Sequence, residues 1–207
     1  MPHIRGTNIA VDEFRLSARN GAEPNFIFFL SHFHSDHYPG LSSGFRAGPI
    51  YCTAQTATIA ACKFPGIEPL LVRCAYNQPV ELVLSAEHDL RARGTFMDAN
   101  HIIGSAMILF EGYFGRVLYS GDLRYHDKLI RINAPLFRPD GAPTQPIDEL
   151  ILDNTYCDPV FTFPSQPRCV DIVAGIIEQN RRERGEGLRV FIYSYSVGKE
   201  EICLELA

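Results

Sequence analysis

Tryptophan is absent from the 207 residues, and so is any C-x-x-C pair: Cys52, Cys62, Cys74, Cys157, Cys169 and Cys203 lie scattered. Without paired spacing they read as six reduced, mostly buried thiols of an intracellular chain. No apolar run approaches the roughly 18–20 residues of a membrane helix. The start, Met1-Pro2-His3, leads into a polar stretch with no secretory core. Repeats with a period of about 20–50 residues and low-complexity segments are missing too. Basic residues are scarce, 19 Lys+Arg against 24 Asp+Glu, for a net charge of −5. That excludes a protein that holds nucleic acid by sheer basicity. It does not exclude nucleic acid as such, because bound cations reverse the local field of an acidic site. What remains is ordinary globular composition, long enough for one domain or one and a fraction.

The first half reads as short β-runs broken by Gly, Pro, Asn and Asp. Phe26 to Leu30 is continuously apolar, the pattern of a strand buried on both faces. Pro49 to Cys52, Pro79 to Leu84 and Arg93 to Met97 are further strands. Met107 to Glu111 and Arg116 to Ser120 flank Gly112-Tyr113-Phe114-Gly115 and predict a hairpin. Thr53 to Lys63 predicts a helix capped by Thr53. Arg168 to Arg184 is the clearest helix, with an apolar face on Val170, Val173, Ala174, Ile176 and Ile177. Ile147 to Leu152 and Leu188 to Tyr195 read as strands, and Glu200 to Ala207 as a helix. Strands followed by alternating helices and strands imply an α/β layered sandwich.

The densest chemistry is Ser31-His32-Phe33-His34-Ser35-Asp36-His37, directly after the apolar run. Three of the seven histidines fall within six consecutive positions beside an aspartate. Imidazole and carboxylate are ligands for zinc and similar ions. One tetrahedral ion does not easily use all four groups. Two ions roughly 3.5–4 Å apart, sharing a carboxylate, do. Further pieces stand at other strand ends. His101, in Asp98-Ala99-Asn100-His101, supplies a third imidazole for the first ion. Asp122, after Gly121, is placed to bridge, since Gly121 admits a close backbone approach. Asp153, in Leu152-Asp153-Asn154-Thr155, and Asp12, after Ile9-Ala10-Val11, are additional acids. His3, His88 and His126 lack such context and read as surface or core residues. Near the motif ends Arg124, Lys128, Arg131 and Lys199 are candidate phosphate contacts.

The H-x-H-x-D-H run of His32 to His37 resembles the signature of the metallo-β-lactamase superfamily. The later Asn100-His101, Gly121-Asp122 and Leu152 to Thr155 follow in that family's order. Ser194-Tyr195-Ser196-Val197-Gly198-Lys199-Glu200 is similar to the segment that opens the β-CASP region of its DNA-processing branch. The resemblance implies an αββα sandwich, with residues 1–185 as the N-terminal part of a metallo-β-lactamase domain and 186–207 as the start of a β-CASP domain that Ala207 cuts short. It also implies a zinc-dependent 5′→3′ exonuclease acting on DNA ends in the nucleus, in repair and telomere maintenance, with no membrane association. By position, His32, His34 and His101 would bind one zinc, Asp36 and His37 a second, and Asp122 both. Asp12 would orient a ligand histidine from behind, and Asp153 would support the second metal or a proton transfer. Telomere or repair proteins would dock on a segment outside this chain. One departure stands out: the members of the branch that this chain most resembles usually have Cys-Pro after Asn-His, whereas this chain has Ile102-Ile103, which predicts a less rigid loop around His101. Two other readings use the same residues: a thioester or lactam hydrolase, and a catalytically incomplete interaction module.

Overall fold

Residues next to each other in the run Phe26 to Leu30 enter two different cores. In a computed structural model describing residues 3–18, 26–126, 129, 133–194 and 197–206, four short strands form a parallel sheet: β1 (Ile9–Val11), β2 (Ile27–Phe29), β3 (Ile50–Thr53) and β4 (Leu71–Cys74). Alternate side chains of a strand point to opposite faces. Phe28 therefore packs with Phe14 and Phe45, at ring distances of 5.5 and 5.0 Å. These rings share a cluster with Ala57 and Ala60 of helix α1 (Ala54–Lys63). Phe29 points the other way, stacking on Tyr51 and Phe96 and meeting the Phe110 ring edge-on at 4.8 Å. Both faces of β2 are closed, which is why its sequence does not alternate.

Phe96 and Phe110 belong to the second sheet: β5 (Pro79–Ser85), β6 (Leu90–Asp98), β7 (Ala106–Gly112), β8 (Gly115–Tyr119) and β9 (Glu149–Ile151). The first four form an antiparallel meander and β9 adds parallel to β8. The hairpin predicted at Gly112 to Gly115 is the β7–β8 turn, where Gly112 pairs with Gly115 around Tyr113 and Phe114. The main core lies between the sheets, with Ile9, Val11 and Phe29 facing Leu82, Phe96, Ile108, Phe110 and Val117. Thr53 caps α1 as expected, accepting from the backbone N–H of Thr56. The α/β layered architecture is thus present, with two sheets and flanking helix.

The chain divides into two compact units, residues 1–153 and 154–207. The second unit contains α2 (Gln166–Arg184), capped by Ser165, and α3 (Glu200–Leu206). The strand expected over Leu188 to Tyr195 does not form in the described part, 188–194. A strand needs a ladder partner, and no described residue pairs with this stretch; Phe191 and Tyr193 are 89% and 99% exposed. The strand β4, by contrast, has no counterpart in the sequence reading. The thiols also depart from expectation. All six are free, but only Cys52 and Cys74 are buried, whereas Cys62 and Cys157 are exposed and Cys169 and Cys203 half-buried. Among the described residues no helix is long and apolar enough to cross a membrane.

Candidate metal centre

The strand ends gather the side chains. The C-terminal ends of β1, β2, β6, β8 and β9 lead directly to Asp12, His32–His37, His101, Asp122 and Asp153. The two sheets are stitched at this edge by the Ala106 N–H donating to the Ser31 carbonyl at 2.9 Å.

Four donor atoms, one each from His32, His34, His101 and Asp122, lie within 4.8 Å of one another. His34 Nδ1 is 3.2 Å from both His32 Nε2 and His101 Nε2. Asp122 Oδ2 is 3.4 Å from His101 Nε2 and 3.7 Å from His32 Nε2. Bonds of about 2.0–2.1 Å to a tetrahedral zinc would put neighbouring donors about 3.3–3.4 Å apart. Three imidazoles and one carboxylate at these spacings fit such an ion in both number and type.

The proton on each ring follows from its partners. Asp12 is buried, and its carboxylate accepts from the Ser31 N–H (2.7 Å), Ser31 Oγ (2.6 Å), His37 Nδ1 (2.8 Å) and the Tyr119 hydroxyl (2.9 Å). Ser31 has one hydroxyl proton, and Asp12 takes it. Ser31 Oγ therefore accepts from His32 Nδ1, 3.0 Å away, leaving the His32 Nε2 lone pair facing the cluster. Burial, then the His37 charge, keeps His32 far below its ordinary pKa, so it is neutral and ready to ligate. His37 is the opposite case. Burial pushes its pKa down, but hydrogen bonds to Asp12 and Asp122 outweigh this and raise it to about 10. Asp122 meets His37 Nε2 through Oδ1 at 3.1 Å, and that hydrogen bond, against burial, holds its carboxyl at about 2. The two Asp122 oxygens thus serve two neighbouring groups.

The remaining candidates divide. Asp36 is exposed, its carboxylate 3.8 Å from His37 Nε2. Asp153 sits where β9 ends, its N–H donating to Ser120 Oγ at 2.8 Å. Asp98 keeps a turn role, accepting from the Asn100 N–H. Arg124 is exposed beside His101 and contributes to lowering the His101 pKa, behind burial, which comes first. Lys128 and Arg131 lie outside the described residues. Lys199 belongs to the second unit, exposed just before α3. His3, His88 and His126 are exposed. Gly121 has φ +53, and a Cβ there would lie 3.2 Å from the Ala106 carbonyl and Ser31, the close approach expected of it.

The loop expected to be loose is instead tied down. Ser105 Oγ accepts from the His101 and Ile102 N–H groups, both at 3.1 Å. The Tyr76 hydroxyl holds the Ser105 carbonyl at 2.8 Å. Tyr76 and Tyr119 carry no spacing signal in the sequence, since their hydroxyls act across 29 and 107 residues; the Ser105 hydroxyl acts inside its own loop.

No family model matches the chain. Over 204 residues, 99% of its length, it is 38% identical to a protein named 5′ exonuclease Apollo from Gallus gallus. The same name attaches to a Danio rerio relative, 38% identical over 181 residues and 87% of this chain. A Schizosaccharomyces pombe relative, DNA cross-link repair protein pso2/snm1, is 34% identical over 202 residues, 96% of this chain. The chain belongs to the Apollo/SNM1 family. It spans 40%, 30% and 33% of those three relatives respectively. Its fold is also similar to a crystal structure of a protein of unknown function from Enterococcus faecalis V583, with a TM-score of 0.51 and 16% identity over 77% of this chain and 41% of the other. The four residues whose donor atoms converge, His32, His34, His101 and Asp122, are among the six that the sequence offers as metal ligands, the others being Asp36 and His37.

Proposed function

We propose that this chain carries the metal centre of a zinc-dependent 5′→3′ DNA exonuclease that hydrolyses phosphodiester bonds at DNA ends. The observation that supports it most is the four-donor cluster whose carboxylate, Asp122, also faces His37. His32, His34, His101 and Asp122 would hold one ion, and Asp36, His37 and Asp122 a second. Zinc bound there would supply Lewis acidity and make hydroxide available from water near neutral pH. The chain's own residues do the rest. Asp12 fixes the Nδ1 protons of His32, through Ser31, and of His37, so that each ring turns its Nε2 inward; His37 would give up the Nε2 proton it shares with Asp122 on binding an ion. Arg124, at the mouth, meets the phosphate backbone as a charge-assisted donor. Asp153, at the end of β9, takes or delivers a proton near the second position, and Lys199, in the segment similar to the β-CASP opening, is a candidate phosphate contact by that resemblance.

In this reading residues 1–185 are the N-terminal part of the metallo-β-lactamase domain and 186–207 the start of the β-CASP domain. The protein works in the nucleus, in cross-link repair and at telomeres, with repair or telomere proteins as partners. The acidic balance is no obstacle, because two dications move the net charge from −5 to about −1.

The test is a zinc-loaded full-length protein given 3′-labelled single-stranded DNA. Stepwise loss from the 5′ end is expected, with about two zinc ions per chain by elemental analysis. His34→Ala removes the donor common to both 3.2 Å contacts, and cleavage should fall by about 10²-fold or more, the scale of losing a catalytic metal contact. Thioester turnover without DNA cleavage would reassign the centre to small-molecule hydrolysis. A protein that takes up no zinc and cleaves nothing would be an interaction module.

A further inference from the structure

We propose that Thr53 and Thr56 are positioning residues that set the reach of His101 into the metal cluster; the inference rests on the metal reading above. His32 and His34 emerge from β2 of the parallel sheet, while His101 follows β6 of the meander. The three rings converge only if the two sheets are registered at this edge. The loop from His101 to Ser105 reaches back to the helix carried by the parallel sheet. There the Gly104 carbonyl accepts from Thr53 Oγ1 at 2.7 Å and from Thr56 Oγ1 at 3.0 Å. Both threonines are essentially fully buried. Each hydroxyl has a single proton to give. Thr53 Oγ1 also accepts from the Thr56 N–H at 3.3 Å and lies 3.1 Å from Thr56 Oγ1; its one proton goes to the nearer acceptor, the Gly104 carbonyl, and the same oxygen caps α1. The approach leaves no room for a side chain on the loop. Gly104 has φ +78, and a Cβ would lie 2.8 Å from Thr56 Oγ1 and 2.9 Å from Thr53 Oγ1. One turn of backbone separates this double hydrogen bond from the His101 ring. Ser105, the next residue, holds the His101 N–H through its own hydroxyl.

The geometry makes Gly104 a peg and the two hydroxyls its socket. Valine keeps the shape of threonine and removes the donor, leaving the buried carbonyl without its partners. The loop then shifts, and His101 Nε2 moves off the position that closes the donor set with His34 and Asp122. Partners one step behind a metal ligand are worth about 10–100-fold in metal affinity.

The experiment measures zinc affinity by chelator competition on the intact protein and on Thr53→Val, Thr56→Val and the double variant. Each is paired with Thr→Ser, which restores the hydroxyl, and with Ile67→Val, a buried change in the apolar core that packs against Ala57 and Ala60 of α1. The double valine variant is expected to bind its first zinc about ten-fold or more weakly, the serine variants within about two-fold of the parent, and Ile67→Val unchanged. Thr56→Val alone leaves the Thr53 cap in place, so it stays folded if the double variant does not; about a three-fold loss is expected for it, a fraction of the double effect. Valine variants that bind zinc as tightly as the parent would overturn the positioning role and leave the metal reading standing. A parent protein that binds no zinc would overturn both.

Discussion

Asp12→Ala is expected to lower the unfolding free energy by about 3–5 kcal/mol, the scale of breaking a buried charged network by removing one member. Four donors lose their acceptor at once, two of them on Ser31 and the others on His37 and Tyr119. Asp12 also has φ +52, a conformation that alanine adopts less readily than aspartate or asparagine. Asp12→Asn keeps the shape and tolerates that backbone, but its amide NH₂ must face one of the donors. A cost of about 1–3 kcal/mol is expected for it. Urea unfolding of metal-free protein measures both. A loss under about 1 kcal/mol for alanine would mean that Asp12 is not the acceptor holding this edge of the sandwich.

Phe29→Ala is the largest change expected far from the chemistry, about 3–5 kcal/mol. The ring stacks on Tyr51 and Phe96 and meets Phe110 edge-on, so its loss opens a cavity between the sheets. Phe28→Ala should cost a similar amount on the opposite face, against Phe14 and Phe45. The two should be additive within about 0.5 kcal/mol if the faces are separate cores. Strong non-additivity in denaturant unfolding would show that β2 couples them.

Much of this architecture is legible in the chain because its signals are local. The β7–β8 turn, the Thr53 cap and the run of Phe26 to Leu30 each depend on residues a few positions apart. So does the metal loop, where His32, His34 and His37 share one stretch and need only a strand to present them. Two features mislead. Leu188 to Tyr195 has the composition of a strand, but composition does not supply a neighbouring strand to pair with. Leu71–Cys74, framed by Pro69 and carrying a charged Arg73, offers only four residues of pattern, yet it pairs with β3 along its whole length. What sets the site's geometry is least visible of all. Thr53, Thr56 and Tyr119 act through single hydroxyl groups whose partners come from distant turns of chain. Ile102-Ile103 drew attention to the loop's side chains, while the loop is held through its backbone.

The carboxylate of Asp12 and the phenol of Tyr119 are separated by 107 residues, and the rings of His34 and His101 by 67. Contacts this far apart close late, since a long loop has to be ordered before it is rewarded. A nascent or refolding chain therefore has β1 and β2 well before it has a complete donor set. Any ion needing all four donors finds them only in the finished sandwich, so the appearance of tight metal uptake is a clock for the last step of folding.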